Sequence, residues 1–162
     1  MAGLDVIDFV EPGRMPHAID VSLDASIDAV MALQADVDAF SETHDLSPRT
    51  TYVLQLILEE LLTNVVNHGY EGQPDGTVIV RLSRENELTV GEIIDSGRAF
   101  DPTGRADPDT SAPLDDRPIG GLGVHLSRTL ANELTYERVD DRNVVRFTVS
   151  DDAPPPKMEN SQ

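Results

Sequence analysis

The chain has 162 residues, no cysteine, and 30 Asp and Glu residues against 12 Lys and Arg, for a formal net charge of −18. This length allows one domain with a hydrophobic core, and the lack of cysteine excludes disulfides and cysteine-based zinc sites. The negative charge disfavours nucleic acid and anionic membranes as partners. Lys157 is the only lysine, which excludes the P-loop and the lysine-dependent site of eukaryotic-type protein kinases. We find no membrane-spanning run or signal peptide and expect a cytoplasmic location.

The first part of the chain predicts a leader, a strand and a helix. Residues 1–16 are interpreted as a loosely attached leader, and alternating apolar residues predict a strand over 18–23. Asp24 or Ser26 is expected to cap the helix that follows. The apolar face of this helix is predicted from helical spacing to contain Ile27, Val30, Met31, Val37 and Phe40.

A second, longer helix is predicted to begin at Ser47-Pro48 and to run to about His68, with Gly69 as its C-terminal cap. Glu60, Asn64 and His68 follow one another along the border of its apolar face. Asn is a poor helix former, and a half-buried amide needs hydrogen-bond partners. We therefore expect groups outside the helix to meet this polar edge. The apolar face itself is predicted to contain Leu54, Ile57, Leu58, Leu61 and Val65.

The rest of the chain predicts two hairpins separated by a loop and a helix. The loop is rich in Pro and Asp and is predicted to form a lid over about 101–118, before a helix over 121–132. Residues 151–162 are predicted to be a disordered tail. The strands are predicted at 78–82, 88–94, 134–139 and 144–149. Alternating strands and three amphipathic helices predict a two-layer α/β (α+β) sandwich, whose largely antiparallel mixed sheet is covered by helices on one face.

Three short motifs occur in order on these elements. They are Glu60-x-x-x-Asn64 on the second helix, Asp95-x-Gly97 at the end of an apolar strand, and a glycine-rich segment, 120–123, that opens the third helix. Together they resemble the N, G1 and G2 boxes of the GHKL ATPases, which have the Bergerat ATP-binding fold. The helix segment EELLTNVVNHGY (59–70) is most similar to the bacterial anti-sigma-factor serine kinases. The resemblance covers about 18–150, and we assign the histidine-kinase-like ATPase domain to 17–150.

The resemblance implies a site for ATP and Mg²⁺. Asn64 would bind the metal through its amide oxygen, a hard ligand, and Glu60 would act as the catalytic general base. Asp95 would accept a hydrogen bond from the amino group of adenine, and Gly97 would permit close approach of the base.

The phosphates are expected at the start of the third helix, where Gly120, Gly121, Leu122 and Gly123 would offer backbone N–H groups. Arg117 resembles the arginine that precedes these glycines in the serine kinases, but it lies farther away, so that Arg105 is an alternative.

Three further residues are candidate nucleotide contacts. Asn67 either assists the nucleotide or faces water, and His68 either approaches a phosphate or has a structural role. Phe100 is expected to pack beside the pocket. The chain departs from the family at 141–143, where Asp-Arg-Asn replaces the usual Gly-Thr turn.

The function implied by the resemblance is a Mg²⁺/ATP-dependent serine kinase and anti-sigma factor. Such a protein phosphorylates an anti-anti-sigma (STAS-type) partner, sequesters a sigma factor and acts as a homodimer. Two alternatives remain at this stage. One is a nucleotide-dependent binding module that switches partners without phosphotransfer, and the other is a detached histidine-kinase ATPase domain.

Overall fold

The structure is a computed structural model, and it describes residues 19–71, 75–104 and 127–151. The predicted leader and tail, most of the predicted lid and glycines 120–123 lie outside the described residues. Residues 127–130 are helical and fall within the predicted third helix, whose beginning also lies outside them. Within the described residues, no helix is both long enough and apolar enough to cross a membrane.

Five strands form one sheet in the order β1-β2-β3-β5-β4, and every neighbouring pair is antiparallel. Two helices, α1 and α2, connect β1 to β2 and supply the apolar residues that pack on the sheet. This arrangement confirms the predicted α+β class. The elements are β1 (Ile19–Asp24), α1 (Ile27–Thr43), α2 (Pro48–Asn64), β2 (Thr77–Glu85), β3 (Leu88–Asp95), β4 (Glu133–Val139) and β5 (Arg142–Ser150).

Both helices begin at serine caps, as a hydroxyl before a helical apolar pattern predicts. The Ser26 side chain accepts a hydrogen bond from the Ala29 N–H, and the Ser47 side chain accepts one from the Thr50 N–H. The predicted apolar face of α2 is confirmed, because all five residues are buried. The face predicted for α1 is partly wrong: Ile27 is 43% exposed and Met31 is 52% exposed, while Leu33 is buried instead.

The last turn of the second helix is wider than an α-helix. After Asn64 the chain forms a π-helical turn, Val65–Gly69, in which the Tyr70 N–H donates to the Val65 carbonyl at 3.1 Å. Gly69 therefore belongs to the helix and is not its cap, and Glu71 takes the left-handed conformation with φ 50°. Single π turns are frequent at functional sites in proteins, and this one directly follows the predicted motif that ends at Asn64.

The core lies between the helices and one face of the sheet. Val80, Ile93 and Val145 pair across three neighbouring strands, and all three are buried against α1 and α2. Gly91 leaves room for Phe147 on the same face, because a Cβ at position 91 would lie 2.1 Å from the Phe147 ring. The helix-covered side of β3 is thus tightly packed at Gly91.

The turn of the last hairpin is shorter than the predicted 140–143. Asp140 and Asp141 have φ of 50° and 60°, as the two-residue type I′ turn requires, and Asp tolerates this conformation better than most residues. Arg142 and Asn143 consequently lie in β5. Asn143 pairs with Asp95 of β3. This register brings an amide that was predicted to lie in a turn to the end of the Asp95 strand.

Candidate functional site

A pocket opens between the end of α2, the π turn, and the ends of β3 and β5. Apolar side chains from all of these elements form its walls, together with a few polar residues. The described residues that line it are Leu61, Asn64, Val65, Gly69, Ile93, Asp95, Arg98, Phe100, Pro102, Asn143 and Val145. The structure thus brings together three residues that were predicted from the sequence to form the site: Asn64 and Asp95 from the motifs, and Phe100.

Asp95 is the buried charge of this pocket and is only 4% exposed. Its Oδ1 accepts hydrogen bonds from the Gly97 N–H and from Asn143 Nδ2, both at 2.9 Å. The described residues offer no donor to its Oδ2, so one carboxylate oxygen remains available for a ligand. Burial raises the pKa of Asp95 above its usual value, although the two hydrogen bonds and the nearby Arg138 oppose that shift.

Asn143 is a buried site residue that the sequence prediction did not assign to the site. It is 2% exposed, and its Oδ1 accepts hydrogen bonds from the Tyr136 hydroxyl at 2.7 Å and from Arg138 Nη1 at 2.9 Å. Its Nδ2 donates to Asp95 and to the Arg98 carbonyl. The signal that could have revealed it was the Asp-Asp pair before it, which favours a two-residue turn and places position 143 in the strand.

The segment after Asp95 packs directly on the π turn. A Cβ at position 97 would lie 2.7 Å from the Gly69 carbonyl oxygen, so this close approach requires Gly97. The Arg98 N–H donates to the same carbonyl at 2.8 Å. Tyr70 adds a second link, because its hydroxyl donates to the Thr77 carbonyl and accepts from the Ser96 N–H. The end of the helix and the Asp95 segment are therefore held together as one unit.

Asn64 and Glu60 lie one helical turn apart on α2, and both are half-buried. Asn64 lines the pocket, where its amide oxygen could bind a hard cation. Glu60 is outside the described lining of the pocket. Burial raises the pKa of Glu60, and repulsion from Glu59 adds to the shift. A carboxylate with a raised pKa accepts a proton more readily, as a general base requires.

His68 and Asn67 are both exposed on the π turn. The His68 ring stacks on Phe100, with ring centroids 5.7 Å apart and planes inclined by 15°. This contact gives His68 a packing role at the mouth of the pocket. Asn67 and Gly97 are absent from the described lining of the pocket, and the Gly97 N–H donates to Asp95.

The predicted phosphate-binding residues lie outside the described residues. These are Arg105, Arg117, Gly120, Gly121, Leu122 and Gly123. Arg98, which no motif singled out, lines the pocket and pairs with Glu71 at 2.7 Å. Among the described residues, no three His, Cys, Asp or Glu side chains converge as a metal site.

The chemistry of the residues that line the pocket is compatible with a purine nucleotide. Leu61, Val65 and Val145 offer apolar surface for a flat ring, and Asp95 Oδ2 offers one acceptor for an amino group. Asn64 is half-buried in the lining, and its amide oxygen could serve as one protein ligand of a metal ion bound to phosphates. The donors and acceptors of these residues are thus compatible with adenine and with one protein ligand to a magnesium ion.

Residues 23–149 match the family model described as the histidine kinase-like ATPase domain. A serine/threonine-protein kinase of Bordetella bronchiseptica, BtrW, is 34% identical over 103 residues, which cover 63% of this chain and 72% of that protein. The serine-protein kinase RsbW of Listeria monocytogenes is 33% identical over 86 residues, which cover 50% of this chain and 54% of that protein. The chain thus spans about half the length of RsbW.

Two further similarities extend over more of the chain. The anti-sigma F factor of Halalkalibacterium halodurans is 22% identical over 120 residues, covering 74% of this chain and 82% of that protein. A crystal structure of the RsbU and RsbW domains of a Mycobacterium tuberculosis protein superposes with a TM-score of 0.57 at 16% identity, over 84% of this chain and 32% of that chain. This structural likeness shows a shared fold.

Proposed function

The chain belongs to the histidine kinase-like ATPase domain family, and from that premise we propose that it is an ATP-dependent serine-protein kinase and anti-sigma factor. In this proposal it transfers the γ-phosphate of ATP to a serine of an anti-anti-sigma (STAS-type) protein, and it sequesters a sigma factor when that partner is phosphorylated. The printed names of the relatives, serine-protein kinase and anti-sigma factor, support the proposal.

One observation carries the nucleotide part of the proposal. Asp95 is a buried carboxylate in the lining of an apolar pocket, and it has two donors on one oxygen and none from the described residues on the other. A buried ionised group normally pairs with an opposite charge or fills its hydrogen-bonding capacity within the protein. The free oxygen of Asp95 is therefore best explained by a ligand that donates a hydrogen bond, as the amino group of adenine does.

Asn64 would hold Mg²⁺ through its amide oxygen, and the backbone N–H groups of 120–123 would bind the phosphates. Arg117 or Arg105 would add a positive charge to them. The bound ion would supply charge neutralisation at the transferred phosphoryl group. Phe100 would contact the nucleotide from the pocket wall, and Asn67 and His68 would contact it from the exposed π turn. Gly97 would hold Asp95 in place for the base.

Glu60 would serve as the catalytic base that orients the acceptor serine and takes its proton. It lies one helical turn before Asn64 and is not a pocket-lining residue itself, which suits a group that acts on the second substrate. Phosphoryl transfer depends mainly on positioning and charge neutralisation, so the carboxylate of Glu60 does not need a strongly basic character.

The proposal includes a cytoplasmic location and a homodimer. The full chain also contains the segments 101–118 and 151–162, for which we propose the roles of lid and tail.

The first test is isothermal titration of the protein with ATP and ADP, with and without Mg²⁺. Binding of both nucleotides that strengthens with Mg²⁺ is the expected result. A chain that binds neither nucleotide would remove the proposed function altogether.

The second test separates a kinase from a binding module. Proteins retained by the immobilised chain from a lysate of its source, with ADP and then with ATP, are examined for new phosphoserine. With the retained partner, Glu60→Gln should lower the transfer rate by about 10²–10⁴ and leave ATP affinity within a few-fold. Glu59→Gln, the same chemical change one residue earlier, is the matched control and should transfer at nearly the wild-type rate. Equal rates for Glu60→Gln and wild type would refute the catalytic assignment.

A further inference from the structure

The two oxygens of the Asp95 carboxylate have different surroundings. Oδ1 receives two donors, the Gly97 N–H and Asn143 Nδ2, each at 2.9 Å. These two bonds occupy both lone pairs that a carboxylate oxygen directs in its plane. Oδ2 receives no donor from the described residues. Asp95 therefore faces the pocket as a single-oxygen acceptor.

The orientation of the Asn143 amide is fixed by its other partners. The oxygen of this amide meets two groups that can donate, the Tyr136 hydroxyl at 2.7 Å and Arg138 Nη1 at 2.9 Å. The nitrogen meets only acceptors, which are Asp95 Oδ1 and the carbonyls of Gly97 and Arg98. Turning the amide over would oppose donors to donors and acceptors to acceptors. Asn143 must therefore present its N–H group to Asp95.

The difference between one and two free oxygens matters for the choice of purine. Adenine offers one donor on its pairing edge, the exocyclic amino group, beside an acceptor nitrogen. Guanine offers two adjacent donors, the ring N–H and the 2-amino group, which match both oxygens of a carboxylate in a bidentate pair. A carboxylate whose Oδ1 is already saturated can accept the single bond from adenine but cannot form the double one with guanine.

We propose that Asn143 is a specificity-determining residue that makes the pocket select adenine over guanine by saturating Oδ1 of Asp95. Asn143 acts through Asp95, since its own donors and acceptor are all engaged by the protein. This inference rests on the proposed nucleotide site. It adds to that site the residue that determines the base selectivity.

The test is the ratio of ATP to GTP affinity, measured by titration in Mg²⁺ for the full chain and three variants. Asn143→Leu keeps the branched shape of the side chain, removes the donor and keeps water out. Asn143→Ala removes the donor without the risk of overpacking. Tyr136→Phe is the matched control, because it removes one partner of Asn143 and leaves the contact to Asp95 in place. Thermal unfolding of each variant establishes that it is folded at the titration temperature.

We expect the wild type to prefer ATP by at least about tenfold, and Asn143→Leu to lower that ratio by about 10- to 100-fold, the worth of one hydrogen bond to a charged group. Asn143→Ala should lower the ratio by at least about threefold, because a water can replace part of the lost donor. Tyr136→Phe should keep the ratio within about twofold. A purely structural role of Asn143 would weaken both nucleotides alike and leave the ratio unchanged.

The outcomes distinguish this inference from the function on which it rests. If the wild type binds no nucleotide, the proposed function fails and the inference fails with it. If the wild type binds ATP and GTP equally, or the folded Asn143 variants keep the wild-type ratio, the inference is overturned and the nucleotide site stands. If Asn143→Leu does not fold, the ratio for Asn143→Ala decides. A fall in Tyr136→Phe as large as in the Asn143 variants would also overturn it.

Discussion

Strand β3 contains two buried carboxylates, three residues apart and on opposite faces of the sheet. Glu92 is 2% exposed and lies on the face away from the helices, where Arg81 Nη1 at 3.3 Å and Arg146 Nε at 2.6 Å neutralise it. Asp95 is 4% exposed and lies at the pocket, where neutral N–H groups are its hydrogen-bond donors. One carboxylate is paired with two arginines, and the other has neutral donors on one oxygen and none from the described residues on its second oxygen.

The partners of Glu92 continue across the sheet. Arg81 also pairs with Asp20 of β1 at 3.2 Å, and Arg146 also pairs with Glu137 of β4 at 2.8 Å. Opposite charges thus alternate over all five strands, as cross-strand pairs that hold a sheet together commonly do. Two buried charges on one strand therefore have different roles. Glu92, which stabilises the sheet, has cationic partners. Asp95, which we propose to bind the nucleotide, has an acceptor oxygen without a donor from the described residues.

The largest effect that this comparison predicts is on ligand affinity. Asp95→Asn keeps the shape of the side chain but replaces one acceptor oxygen with a donor, which would face the amino group of adenine. We expect ATP affinity to fall by about 100-fold or more. The change removes a hydrogen bond to a charged acceptor and places the N–H₂ group of Asn against the amino group of adenine. Titration calorimetry measures this effect. Unchanged affinity would mean that Asp95 does not contact the base.

The second prediction concerns stability. Glu92→Gln removes the charge that both arginines share, although Asp20 and Glu137 still partner them. We expect the free energy of unfolding to fall by about 1–3 kcal/mol, less than for an isolated buried pair, because the remaining carboxylates and solvent compensate. Urea denaturation measures the change. ATP affinity should stay within about twofold, so each of the two variants is the control for the other.

The sequence predicts most of this fold but only part of the site. The alternation of Val78, Val80 and Leu82 is sufficient to predict a strand, and the buried face of α2 follows from helical spacing. Asp95 was found because its motif is local. The position of Asn143 depends on a two-residue turn and on the β3–β5 register, which join residues 48 positions apart. Local patterns do not determine such a pairing, so neither this contact nor the Glu92–Arg146 pair could be predicted.

The smallest predicted effect is the pH dependence of ATP binding. Burial raises the pKa of Asp95, so the carboxylate takes up a proton at a higher pH than an exposed aspartate does. A protonated Asp95 presents a hydroxyl to the adenine amino group and loses its acceptor role. ATP affinity should therefore fall as the pH drops through the raised pKa, by at most tenfold per pH unit for one proton.

The same shift has the opposite sign for stability. Because the folded pKa of Asp95 lies above the unfolded one, the folded state binds the proton more tightly. The contribution of Asp95 to stability is thus most favourable below the unfolded pKa, and it decreases as the pH rises through the folded pKa. The free energy of unfolding of the wild type relative to Asp95→Asn should decrease over this range. Urea denaturation at a series of pH values measures the difference.

Glu60 and Glu92 supply the controls for this titration. The pKa of Glu60 is also raised by burial, so that Glu60→Gln determines whether that carboxylate contributes to the pH dependence. We expect Glu60→Gln and Glu92→Gln to keep the wild-type pH profile of ATP binding, because neither residue lines the pocket. A profile that loses its acid limb in Glu60→Gln would assign the titration to the helix and contradict the role given to Asp95. If the pH profile of ATP binding changes only in Glu92→Gln, the face of the sheet away from the helices is coupled to the pocket. Glu92 and Asp95 would then not act independently.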